Sequence, residues 1–457
     1  MEGVGAASAP LSEIDPRAVS AAPPVTRAEL VRLAVPAAAS GILNNAFRVI
    51  DQYAAGTLGT DAQAAIGACT FVLIAFWASC ALVAMGAGPL VARATGAGDL
   101  QGRAHLFATS LGAAAAIGLT LGGLLIVGAP TLAGLLGLQG TVAANAATFL
   151  RTLSIGGVLF GVAPLLDAVL VALGRTRTMF VLQGVTAVLN AALNTLFLRS
   201  LGMGIEGTAL ATLISRGLTT VIGVYVLWRA LKPQVGDLRP SAELHRVVRI
   251  GAPVTVNTWV YALVYFLLLR WAITPLGPTT TAALGIGFSA LEGVTYPMYL
   301  GVSLGVSSLV GRQLGAGRPD EAERASRLGL PMVTALGALS GLVFWFGGRP
   351  LCGLFTHDPA VLEAAVLYAH VLAFSQVFVA LEALAEGVLQ GAGHTRPIFW
   401  FSAPLNTLRV PLGWALAFPA GLGAAGVWWA INLTSFAKAL GKGTVAARGG
   451  WKRLRIG

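Results

Sequence analysis

Hydrophobic and polar positions in this chain come in blocks, with neither the alternation of a half-buried strand nor the one-sided stripe of a surface helix. Twelve apolar blocks occur, at roughly 30–57, 64–92, 104–128, 142–172, 178–199, 206–229, 247–274, 281–311, 326–347, 360–390, 397–417 and 424–446. Each is near or above the ~20 residues that a helix needs to cross a ~30 Å hydrocarbon core. Runs such as SLGAAAAIGLTLGGLLIVGA are apolar on every face and rich in small residues. A membrane barrel would instead alternate in segments of ~10 residues, whereas small residues let helices approach closely. The pattern predicts an all-α integral membrane protein with twelve transmembrane helices.

The blocks repeat. VRLAVP at 31–36 returns as VRIGAP at 248–253, an offset of 217, and LGTDAQAAIG returns as LGPTTTAALG at 218. From VARATGAG and VGRQLGAG onward the offset is 219, setting Arg93 against Arg312 and Gly96 against Gly315. It holds through LGRTRTMF and AGHTRPIF, and through GIEG at 204–207 and GAAG at 423–426. Each repeat carries six spans, an even number, so both enter the membrane in the same sense and their pseudo-symmetry axis runs along the membrane normal. The expected organisation is a first lobe over 29–230, a linker over 231–246 and a second lobe over 247–447. These are two six-helix pseudo-symmetric bundles. Two such bundles rocking around a site near the midplane form a carrier.

Composition agrees: 56% of the residues are apolar and 11% charged, far from an ordinary soluble chain. The net charge of +11 raises the question of nucleic acid, and its placement answers no. With the amino end inside, 23 Lys and Arg fall on the inner side, only Arg199 and Arg349 outside, and Arg48, Arg151, Arg216, Arg270 and Arg409 within spans. That asymmetry puts both ends in the cytoplasm. Residues 1–28, rich in Ala, Pro and Ser, are expected to be a disordered cytoplasmic tail without the apolar core of a cleaved signal. The basic tail 448–457 would face anionic lipid. Cys69, Cys80 and Cys352 have no metal or redox spacing and are expected to be buried small residues. No HExxH, no nucleophile with a paired base and no phosphate-binding GxxxxGK[ST] occurs, so no metal, cofactor or enzymatic role is expected and energy should come from an ion gradient.

The proline-containing first span ending in VIDQYAAGTLG, the loop LVARATGAGD, the ALGRTR turn and NAALNTLFLRSLGMGIEGTALATLIS resemble the multidrug and toxic compound extrusion (MATE) family over residues 30 to 446. The resemblance implies a V-shaped antiporter that exports small organic, often cationic, compounds in exchange for protons, with sodium as the alternative coupling ion. It implies no cofactor, membrane lipid as surroundings, a monomer, and residence in a bacterial inner (plasma) membrane. A flippase of lipids or lipid-linked sugars from the related superfamily is a further alternative, kept open by the five arginines within spans.

The resemblance assigns cation or proton coupling to Asp51, Asp167, Asn190, Asn194 and Thr212. Asp51 matches the first-helix aspartate of proton-coupled members, and its repeat counterpart Leu268 is apolar. Asn194 stands where the family pattern NxxLDP has an aspartate, and Asp167 occupies an asparagine position of the same network. The alternative for Asp51 is a structural pair with Arg48 at i,i+3; for Asp167 it is a solvated carboxylate bonded to Arg175 or Arg177. Phe149 replaces a tyrosine of many members. In the second lobe, Asp167 and Asn190 map onto Glu386 and Arg409, which predicts a neighbouring ion pair, with Glu382 one turn away and Glu292 in the eighth span. Trp77, Trp259, Tyr261, Tyr265, Tyr296 and Tyr299 are candidates to line a cavity for flat cations. Pro36, Pro253 and Pro297 are expected to bend their helices.

Overall fold

The computed structural model describes residues 24–56 and 58–454, and these are helical with no strand. The tail assigned to residues 1–28 therefore lies almost entirely outside the described residues, as do residues 455–457. The first half comprises α1 (Arg27–Gly56), α2 (Thr60–Gly96), α3 (Leu100–Leu135), α4 (Gly140–Ser154), α5 (Gly157–Ala172), α6 (Thr176–Thr195) and α7 (Ile205–Leu231). The second comprises α8 (Glu243–Leu268), α9 (Pro278–Ile286), α10 (Gly293–Gly315), α11 (Pro319–Gly353), α12 (Pro359–Ala373), α13 (Gln376–Gly391), α14 (Arg396–Ala417) and α15 (Gly423–Ala447).

Eight helical stretches are long and apolar enough to cross a bilayer, and α4–α5 and α12–α13 qualify as two further, bent spans. Helices α14 and α15, of 22 and 25 residues, bring the passes to twelve. They are more polar because Asn406, Arg409, Asn432 and Lys438 lie within them, and these residues are buried in protein. The bends, 62° and 57°, fall at equivalent places of the two repeats. Each break has a serine whose hydroxyl bonds back to its own helix, Ser154 to the Leu150 carbonyl and Ser375 to that of Leu372, a competition that bends helices.

The buried side chains fall into four clusters, and their membership shows how the halves join. Two clusters, around Phe149 and Phe160 and around Phe344 and Tyr368, each draw on one half only. The other two lie toward the linker and interlock: Val247 and Ile250 of α8 enter the first half's core, while Leu30, Leu33 and Ala34 of α1 enter the second half's. The first helix of each repeat thus packs on the second helix of the other, α1 on α10 and α8 on α2. At the centre of this junction the repeat partners meet. A Cβ on Gly96 would lie 1.8 Å from the Arg312 carbonyl oxygen, and one on Gly315 would lie 2.0 Å from that of Arg93. Arg93 also reaches across the junction to donate to the Ala392 carbonyl at the end of α13, at 2.9 Å.

This contact has no room to relax, since the obstacle is backbone. Gly96→Ala should therefore lower stability by about 1–3 kcal/mol, the usual cost of overpacking. Gly123→Ala, where a Cβ meets nothing within 4 Å, should be neutral or slightly stabilising. Thermal unfolding of the two purified variants checks the difference, and equal midpoints would show that the junction yields.

The linker is docked on the protein. Thr109 donates to the carbonyls of Asp237 and Arg239, and His105 meets the Asp237 carboxylate at 3.0 Å. That bond holds the Asp237 pKa below the usual carboxylate range.

Candidate functional site

In the first half, α6 carries Gln183, Thr186, Asn190 and Asn194 at helical spacing, and this face looks onto α1, α5 and α7. Asp51 of α1 is held by three donors. The Nδ2 amides of Asn190 and Asn194 both donate to its Oδ1 at 3.1 Å, and the Thr212 hydroxyl donates to Oδ2 at 2.9 Å. Asn194 also donates to Asn190 Oδ1 at 3.1 Å, which fixes the Asn190 amide. The Asn194 Oδ1 is buried and, among the described residues, has no hydrogen-bond partner.

The polar face continues toward the linker side. Thr186 and Thr219 share a hydrogen bond of 2.8 Å, and Gln183 Nε2 donates to Asp167 Oδ2 at 3.0 Å. Asn190 lies seven positions beyond Gln183 on α6, so the Asp167 bond lies roughly 10 Å along the helix from that of Asp51. Arg216, one turn beyond Thr212 on α7, interacts electrostatically with both carboxylates. It donates to Asn44 Oδ1 at 2.7 Å and lies over the rings of Phe47 and Trp77. The structure thus brings Asp51, Asn190, Asn194 and Thr212 into one cluster and places Asp167 farther along the same polar file. Neither Arg175 nor Arg177 is its hydrogen-bond partner. The Arg48 side chain lies outside the described residues. Arg216 stood out in the sequence only as an arginine within a span, and Gln183, Thr186 and Thr219 were not singled out, although the spacing of Gln183 and Thr186 from Asn190 on one face of α6 was there to be read.

The repeat geometry is kept in the second half while the chemistry is replaced. Leu268 and Gly413 correspond to Asp51 and Asn194, and a Cβ on Gly413 would lie 3.1 Å from the Leu268 side chain. The expected pair of Glu386 with Arg409 does not form. Glu386 is bound by Lys442 at 2.5 Å, and Glu382 is shared by Lys442 at 2.6 Å and Lys438 at 3.0 Å. Arg409 instead donates to Thr434, Ser435 and the Tyr265 hydroxyl. The reason is spacing: the two lysines, one turn apart on α15, match the two glutamates, one turn apart on α13. Both lysines had been counted among inner-side residues, yet they are buried in α15. Glu292 accepts from the Tyr368 hydroxyl at 2.7 Å.

With this geometry established, known proteins can be compared. The MatE family profile matches residues 36–196 and 253–415, one segment in each repeat. The chain belongs to the MatE family. It is 26% identical over 414 residues to a probable multidrug resistance protein NorM of Thermotoga maritima, covering 89% of each chain. It is 29% identical over 462 residues to a multidrug resistance protein NorM of Burkholderia vietnamiensis, covering 95% of this chain and 96% of the relative. Among solved structures, a MOP superfamily transporter from Pyrococcus furiosus superposes with a TM-score of 0.87 at 20% identity, over 94% of this chain and 97% of the other. An outward-facing multidrug resistance MATE family transporter gives the same values. These proteins are transporters, and this MatE chain is one rather than an enzyme.

The aromatic candidates separate into groups. Trp259 and Tyr296 are exposed, Trp259 with its indole N–H on the Ala75 carbonyl of α2. Tyr261 and Tyr265 lie together, with ring centroids 4.6 Å apart. Trp77 already has the Arg216 guanidinium over its ring, at 5.2 Å. Tyr299 corrects the expectation: it is fully buried, with its hydroxyl on Gln376 at 3.0 Å, and packs the core of the second half. Phe149 is likewise core, and Cys69, Cys80 and Cys352 are free and buried. Among the described residues no group of three His, Cys, Asp or Glu could hold a metal ion.

Proposed function

We propose that this MatE transporter exports small organic, often cationic, compounds in exchange for protons by alternating access, with Asp51 as the proton-carrying residue. The carrying observation is the setting of Asp51, a carboxylate inside a membrane-spanning half whose hydrogen bonds, among the described residues, come from amide and hydroxyl side chains that serve either protonation state. The names of the relatives, multidrug resistance proteins, supply the class of cargo.

The unpartnered Asn194 oxygen supports a proton cycle. While Asp51 is ionised, its oxygens accept from both amides and the hydroxyl. Once protonated, it must donate, and rotation of the Asn194 side chain would turn its spare oxygen toward that new O–H. Sodium is the alternative coupling ion, and one feature weighs against it: Glu382 and Glu386 already hold lysine ammonium groups. The flippase reading is weakened because three of the five arginines do not converge: Arg151 donates to the Ile126 carbonyl, Arg216 sits on Phe47 and Trp77, and Arg409 is buried among α8, α14 and α15.

The test is transport in sealed vesicles with imposed proton or sodium gradients and a panel of organic cations. A proton gradient alone should drive movement of at least one cation. Movement driven only by sodium, or by neither gradient, would overturn the assignment. Both termini are expected to be cytoplasmic, in a bacterial inner membrane, and a reporter fused after Trp451 that signals from outside would reverse that orientation.

A further inference from the structure

On the linker side of the first half, a notch of about 330 Å³ is lined by Arg32, Gly174, Arg175, Thr176, Arg177 and Thr178. It opens at the start of α6, a 20-residue helix whose first turn has no side-chain cap. Arg32, Arg175 and Arg177 are exposed and form no ion pair among the described residues. A fourth guanidinium, that of Arg312 from α10, stands beside Gly174, and it has taken the nearby Glu29 at 3.3 Å. Thr176 is the one buried residue of the lining, 1% exposed, and its hydroxyl has no hydrogen-bond partner among the described residues.

In the second repeat the hydroxyl at the corresponding place is satisfied. Thr395, the counterpart of Thr176, donates to the Ile250 carbonyl at 2.7 Å. Arg175 is replaced by His394, whose pKa is pushed down by burial and by Arg396, and Thr178 by Pro397, which has no N–H to offer. One backbone plan thus appears twice, with the threonine hydroxyl taken in one copy and, among the described residues, unpartnered in the other. Converging guanidinium groups repel one another unless an anion joins them. Their planar forks match phosphate oxygens in pairs, and an uncapped helix start adds backbone N–H donors and a favourable dipole.

The geometry points to an anion site for a phosphate group, either the headgroup of an anionic phospholipid or a soluble phosphate, held by Arg32, Arg175, Arg177 and Thr176 at the start of α6. It is separate from the Asp51 cluster and does not depend on what the protein exports.

The test uses the full chain purified in detergent and in nanodiscs. Inorganic phosphate is titrated in the first case, and phosphatidylcholine is compared with phosphatidylcholine plus phosphatidylglycerol in the second. Saturable binding of either probe is expected, with phosphate assigning a soluble source and phosphatidylglycerol a lipid one. Arg175→Gln with Arg177→Gln should weaken binding about tenfold or more, and Thr176→Val about threefold, as charge-assisted and neutral hydrogen bonds are lost. Arg396→Gln in the second copy should leave affinity unchanged. No binding of either probe, an unchanged affinity in Thr176→Val, or an equal loss in Arg396→Gln would overturn the site in favour of diffuse surface charge. If the double variant does not elute as a folded monodisperse protein, Thr176→Val against Arg396→Gln decides alone.

Discussion

Asp51→Asn is expected to stop efflux driven by a proton gradient while leaving substrate binding measurable. The substitution keeps the shape of the side chain but removes its charge and its ability to exchange a proton, so the cluster of Asn190, Asn194 and Thr212 has no ionisable member left. Coupling between linked sites is commonly worth about 5- to 150-fold in affinity, and the pH dependence of substrate binding should shrink by a factor in that range. Asp167→Asn should do less harm, because Asp167 is bonded to Gln183 and lies farther along the file. Substrate efflux and binding at two pH values in reconstituted vesicles measure both variants. If Asp51→Asn still exports under a proton gradient and Asp167→Asn does not, Asp167 is the carrier.

The second large effect concerns the buried charges of the other half. Glu382→Gln strips Lys438 of its carboxylate, and Lys438 has only 9% of its side chain exposed. Breaking a buried pair by removing one member costs about 3–5 kcal/mol, since a lone charge is left without water. Adding Lys438→Met removes that lone charge and leaves the Lys442–Glu386 pair intact, so the double variant should recover most of the loss. Folded yield and thermal midpoint in detergent would register both steps. Additive losses would mean that Lys438 and Glu382 do not depend on each other.

Two kinds of information were local enough to be read from the chain. The length of each apolar block depends only on neighbouring residues, and it gave twelve passes, including α14 and α15, whose polar residues make them weak candidates when judged singly. The repeat offset of 219 is also a property of the string, and it set Gly96 against Gly315 before the structure placed both at the junction. The Asp51 cluster was legible through the family resemblance, helped by the i,i+4 spacing of Asn190 and Asn194.

What repeat arithmetic could not give was the partner of each buried charge. It maps a residue onto its counterpart, but an ion pair forms with whichever opposite charge lies within reach, and a shift of one helical turn changes the answer. Glu386 therefore went to Lys442, and Arg409 to hydroxyl groups. Tyr299 became core for a related reason: which face of α10 meets α13 depends on how the helices cross. The sequence by itself determined the membrane fold, its duplication and the asymmetry of Asp51 with Leu268. The tertiary structure alone decided which charges neutralise one another, because desolvation forces each buried ion onto a partner only a few ångströms away, and distances that short between separate helices are set by packing.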